Sequence, residues 1–236
     1  MSNRHKKIAD AFAQLNSTLN EKKDDYLEKI SSTINKATKK SDNKKLWEES
    51  YDKIVDLMYA ALTDTYLETV TTLRNVYVNI SDETLDIEDF IYKDDDITLP
   101  QRIKKYWDEA ASLLKNPEMD IQEISLYLLN MYDRILDNEM QNIKTGVKEA
   151  KKAKKYKYKQ EKDTTDLITI IEIIHSDGCD CDECTTLEGF YLEEDDPGHP
   201  PFHTRCKCDW WWDLYDPNDP QDLEILQEAG WEEDDG

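Results

Sequence analysis

HSDGCDCDEC at residues 175–184 and HPPFHTRCKC at residues 199–208 hold all five cysteines and three of the four histidines of this 236-residue chain. Cys181-x2-Cys184 is a knuckle spacing, and His203-x2-Cys206-x-Cys208 supplies a second group of soft donors. Zinc takes four such ligands in a tetrahedron, and two close groups joined by a loop meet that need. The expected ligands are Cys181, Cys184, His203 and one or both of Cys206 and Cys208, with Cys179 and His199 as spare loop residues. Asp180, Asp182 and Glu183 add long-range attraction for a dication. Disulfides compete as an explanation, but five is an odd number and Cys-x-Cys pairs bridge poorly within themselves. A calcium loop framed by Asp177 and Glu188 fails, because it puts Asp182 where the turn needs glycine. No His-Glu-x-x-His or comparable arrangement accompanies the cluster. The expected zinc is therefore structural, and the chain is not expected to be an enzyme.

Working outward, the β-branched run from Leu167 to Ile174 suits a buried strand, and Gly189-Phe190-Tyr191-Leu192 suits a second. With the metal they predict a small zinc-stapled α+β or β domain over 163–212, which is otherwise too small to hold a core. The Trp210-Trp211-Trp212 run is expected to pack half on that domain, since three adjacent indoles cannot all face one way, and an exposed one would suggest a partner surface. Residues 163–236 carry 23 acidic residues against only Arg205 and Lys207, whereas residues 1–162 carry 30 against 28 basic ones. Such a break places a domain boundary near 162 and reads 213–236 as an acidic tail.

Upstream, Ile8, Phe12, Leu15, Leu19, Tyr26, Ile30 and Ile34 make one helical stripe. Trp47, Tyr51, Ile54, Met58, Ala61, Tyr66, Val70, Leu73, Tyr77 and Ile80 make a second, suited to antiparallel pairing with the first. Thr98-Leu99-Pro100 starts a third helix, and Asp120 caps a fourth that continues past Met140. The fold class is mainly α: an elongated helical bundle or arm over 1–162, then the small domain and the tail. Low glycine and proline counts, 6 and 7, disfavour a turn-rich all-β sandwich. No stretch approaches the roughly 18 apolar residues of a membrane span, and no secretory signal follows Met1–Lys7. A soluble protein in a reducing compartment is expected.

Between Lys144 and Lys162 stand nine lysines against two glutamates. Lys148, Lys151, Lys152, Lys154, Lys155, Lys157 and Lys159 are candidate contacts to a nucleic-acid backbone, bound through counterion release without sequence preference. The alternatives are a solvated helix, or an intramolecular partner for the acidic last third.

Cys181-x2-Cys184-x2-Leu187-Glu188-Gly189, the acidic stretch Glu193–Asp196, and Pro200-Pro201-x-His203-x2-Cys206-Lys207-Cys208 together resemble the C-terminal domain of tailed-phage minor head proteins. These are the head-morphogenesis proteins related to the F protein of phage Mu. The sequence departs from that pattern in Glu188 for Asp, Lys207 for Arg and the additional Cys179, and the match covers about 35 residues. The resemblance implies a virion protein in the capsid interior near the portal, made in the host cytoplasm before assembly. It implies the portal and internal head proteins as partners, packaged double-stranded DNA as a further one, and a role in head assembly and genome packaging or ejection. The competing functions are a zinc-dependent enzyme processing nucleic acid or peptide, and a cellular zinc-ribbon adaptor. An acidic surround repels phosphodiesters, which disfavours the nuclease.

Overall fold

The computed structural model describes residues 3–77, 80, 84–91, 97–161, 167–175, 181–203 and 206–232, with side chains except at 3–5, 153–161, 183 and 221. The described chain is mainly helical, with α1 (Asn3–Thr38), α2 (Lys44–Val76), α3 (Leu99–Leu113), α4 (Ile121–Glu161), α5 (Asp182–Thr186) and α6 (Pro220–Glu228). Three strands, β1 (Ile168–Ile174), β2 (Gly189–Leu192) and β3 (Asp209–Tyr215), form one sheet. No helix among the described residues is long and apolar enough to cross a membrane. Two compact units result, and they do not follow chain order. One comprises Leu15–Glu68 with Leu85–Ile143; the other joins Met1–Gln14, Thr69–Thr84 and Lys144–Gly236. The composition break near 162 therefore falls inside the second unit, which draws on helix ends remote in sequence.

The first unit is an antiparallel four-helix bundle. Its pairings are read from contacts: Lys22 of α1 meets Asp64 and Glu68 of α2, and Thr38 of α1 meets Ser125 of α4. Tyr51 of α2 donates to the Pro100 carbonyl of α3, while Tyr132 of α4 donates to the Ile103 carbonyl. Successive helices thus run up and down, as short connections favour. Leu19, Ile30, Ile34, Ile54, Met58, Ile103, Leu128 and Tyr132 fill the interior, and Trp107 stacks on Trp47 at 4.1 Å between ring centroids. The expected helix starts hold. Thr98 and Gln101 form a capping box on α3, and Asp120 Oδ1 accepts from the Gln122 amide at the start of α4. The second stripe, read as helical to Ile80, stops at Val76.

In the second unit, β1 is central and antiparallel to both neighbours, in the order β2-β1-β3. Both expected strands form; β3 is additional. Its Asp209-Trp210-Trp211-Trp212-Asp213-Leu214-Tyr215 sequence is aromatic-rich, and all three indoles are buried. They alternate as an extended chain requires. Trp210 and Trp212 lie on one face, where Trp212 stacks on Tyr77 of the α2 end and Trp210 stacks on His199. Trp211 lies on the other and stacks on Phe12 of α1 at 5.6 Å. None of these three indoles is exposed. Residues beyond 212, read from charge as a tail, instead finish β3 and form α6, whose Ile225 and Leu226 pack with Tyr215 and Ile170. The acidic side chains there are spaced around an apolar stripe that net charge alone conceals.

Glu172 of β1 pairs across the sheet with Phe190 and Trp211. Burial pushes its carboxyl up to about 8; Glu228 adds to this, a hydrogen bond with Trp211 opposes it, and Glu188 adds again. The folded chain therefore holds a proton that the unfolded chain releases near the ordinary value of 4.5. Stability from this group is present below 4.5 and is lost as pH rises through about 8. Urea unfolding is expected to show a loss on the order of 1–3 kcal/mol between roughly pH 5 and 8, with Glu172→Gln flattening that slope. Equal slopes in the two proteins would contradict the assignment.

Candidate metal centre

Short local elements bring the Cys/His donors together. Cys181 is the N-cap of α5 and Cys184 lies one turn on, so the knuckle spacing puts both sulfurs on one side of a single turn. The Thr185 amide donates to the Cys181 carbonyl and closes that turn. After β2 and the Pro200–Pro201 segment, the Cys206 amide donates to the His203 carbonyl. Cys208 directly precedes β3. His203 Nε2 lies 3.1 Å from Cys184 Sγ, and Cys184 Sγ lies 3.7 Å from Cys206 Sγ. Two sulfurs on one tetrahedral zinc at ~2.3 Å stand about 3.7 Å apart, so the spacing suits a shared ion.

The donor atoms form two triads that share Cys184: Cys181, Cys184 and His203 on one side, Cys184, Cys206 and Cys208 on the other, each within 4.8 Å. Cys184, Cys206 and Cys208 are buried, with Cys181 and Phe202 packed against them. Burying three sulfurs side by side keeps water from one side of the centre. None of the four described cysteines is in a disulfide. Each of the five ligand candidates thus belongs to one of two triads, linked through Cys184, that could hold a metal ion. Cys179 lies outside the described residues. His199 stands apart from the cluster and stacks on Trp210 instead.

The lysine segment divides differently from its sequence reading. Lys148 is fully buried: its ammonium bonds the Asp209 carboxylate and donates to the Trp210 carbonyl at 2.8 Å, over the Phe12 ring. Lys144 lies 3.4 Å from the other Asp209 oxygen. Lys151 is 1% exposed. Lys152 pairs with Glu193 at 3.2 Å and reaches Asp196. Lys148 and Lys151 therefore face the interior, because one side of α4 is covered by β3 and its flanking segment. For Lys144, Lys148 and Lys152 the intramolecular alternative is the one observed. The side chains of Lys154, Lys155, Lys157 and Lys159 lie outside the described residues. Asp209, the acceptor at the centre of this arrangement, was invisible in the sequence, being one of 23 acids in its third of the chain. Its place between Cys208 and the tryptophans was the one available signal.

Comparison of the chain with protein-family models, with curated proteins and with solved structures returns no match.

Burial pulls the Lys148 ammonium down to about 8, with Asp209 opposing. Removing one member of a buried ion pair strands the other, so Asp209→Asn should cost about 3–5 kcal/mol in chemical denaturation. Replacing all three charges, as Lys144→Met and Lys148→Met with Asp209→Asn, should recover much of that loss, because no buried ammonium is then left facing the lost carboxylate. A single variant as stable as wild type would show that the pair contributes nothing.

Proposed function

We propose that this chain is a minor head protein of a tailed phage, acting without catalysis near the portal inside the capsid. The observation that carries the reading is the assembly of Cys181, Cys184, His203, Cys206 and Cys208, the residues on which the family resemblance rests, into one donor cluster. Two triads sharing Cys184, with three buried sulfurs, suit a structural zinc that closes the α5 turn onto the start of β3. A catalytic zinc needs an open coordination position beside a general base, and the burial of Cys184, Cys206 and Cys208 argues for a closed one. The four-helix bundle supplies long amphipathic elements of the kind that helix-in-groove partners use. Leu67 and Leu126, 53% and 58% exposed, are the first places to look for such contacts.

Co-expression of the full chain with the portal protein of its own phage is expected to yield a nuclease-resistant complex, with cross-links from α2 and the first half of α4. Absence of any complex, or of the chain from purified virions, would remove the head-protein reading.

Contact with packaged DNA is the further part of this proposal, and it falls to Lys154, Lys155, Lys157 and Lys159 rather than to the buried lysines. Binding should be sequence-independent and should weaken steeply with salt. Changing those four to glutamine should flatten the salt slope by up to about four charges' worth. Retention unchanged in that variant, or no retention by wild type at low salt, would end the DNA role.

A further inference from the structure

His199 is held between two carboxylates that come from different elements. Nδ1 lies 3.1 Å from Glu149 Oε1 on α4, and Nε2 lies 2.8 Å from Asp196 Oδ2 in its own segment. The ring lies flat on Trp210 of β3, 3.5 Å between centroids and 3° from parallel. Gly198, at φ +98°, turns the chain back so that Asp196 and His199 meet, and its amide donates to Asp196 Oδ1. A neutral imidazole carries one N–H and one lone pair, whereas each carboxylate offers only acceptors. Both contacts are attractive together only when the ring is an imidazolium.

We propose that His199 is a proton-dependent clasp that fastens the 193–199 segment to α4 while its ring is doubly protonated, and releases it when one proton leaves. The other charged groups around it are Lys152 of α4 and Glu193, and, beyond Trp210, the Lys148–Asp209 pair with Lys144. Lys152 pairs with Glu193 and Asp196 from the same side of α4, and Thr145 of α4 donates to the Pro200 carbonyl, so the segment is loosened rather than freed when the imidazolium is lost. Loss of the proton turns one nitrogen's lone pair toward a carboxylate, so that contact becomes repulsive. Burial opposes the charged ring, but Asp196 and Glu149 outweigh it and hold His199 above its ordinary 6.5. Burial likewise works to raise the Asp196 carboxyl, and His199, the Gly198 amide and Lys152 hold it below the ordinary range. The clasp is closed below 6.5 and opens as pH rises through the raised value. One consequence rests on the metal reading: the segment runs on through Pro200 and Pro201 to His203, so the clasp also sets how that ligand is presented to Cys184.

Ring-nitrogen NMR on the full chain, with amide exchange of residues 193–199 across pH 5 to 9, tests the clasp. The expected result is a His199 titration above 6.5, with both nitrogens protonated on its acid side, and protection of the segment falling several-fold through the same midpoint. Glu149→Gln and Asp196→Asn should each move the titration down. His199→Gln should leave the segment at its high-pH exchange level throughout. A His199 titration that neither variant moves, or segment exchange that ignores it, overturns the proposal. Zinc content measured on the same samples separates the two readings. A shifted titration without bound zinc keeps the clasp and removes the metal, and bound zinc with an unshifted titration does the reverse.

Discussion

A lysine ammonium with no access to water, bonded to Asp209, is the constraint around which the sheet-bearing unit is organised. Taking both charges out of water costs several kcal/mol per ion, and their attraction offsets this only with further hydrogen bonds in place. Those bonds are present. Lys148 also donates to the Trp210 carbonyl, Asp209 also accepts the Trp210 amide and the approach of Lys144, and Phe12 covers the ammonium. The pair sets where α4 meets β3, and with it the register in which Trp210 and Trp212 face Tyr77 and His199 while Trp211 faces Phe12. Three helix ends far apart in sequence are gathered on one seven-residue strand.

The donor cluster stands immediately before that strand. Cys208 precedes Asp209, so the chain passes from a cluster fit for a metal ion directly into the buried ion pair. A three-stranded sheet with one nine-residue helix on it is a small structure by itself, and such units ordinarily need a staple. Here the α4 lysines hold the start of β3, and the thiols and His203, which could hold a metal ion, stand beside one another where α5 meets the segment before it. The His199 contacts hold the intervening loop. This polar anchoring seats Asp209, Glu193 and Asp196 on basic residues of α4, while Ile225 and Leu226 of α6 are held by apolar packing on Ile170 and Tyr215.

Periodicity was a reliable guide to the buried face of a helix even where one stripe serves both units. Ile8 and Phe12 are buried in one unit, Leu15, Leu19, Ile30 and Ile34 in the other, with Tyr26 half-buried, and Thr98 and Asp120 start the helices they were read to start. The cluster was legible too, because ligand spacing is local: Cys184 follows Cys181, and Cys206 follows His203, at a separation of three in sequence. What the sequence concealed is nonlocal. Net charge made 213–236 look like a tail, while Tyr215, Ile225 and Leu226 were already spaced to cover Ile170. Lysine density left phosphate, solvent and the acidic third all open as partners for the whole segment, and could not say that Lys148 and Lys151 lie on the covered side of α4. Which lysine turns inward depends on where Asp209 arrives, sixty-one residues later, and no local pattern carries that.

The central claim is that the Cys/His cluster is a metal centre, and zinc-edge X-ray absorption on reduced protein purified without chelator tests it most directly. The account predicts one tightly held zinc per chain, with a first shell of three sulfurs at ~2.3 Å and one imidazole nitrogen at ~2.0–2.1 Å. A chain that carries no zinc, or a zinc bound only by oxygen and nitrogen, would contradict it.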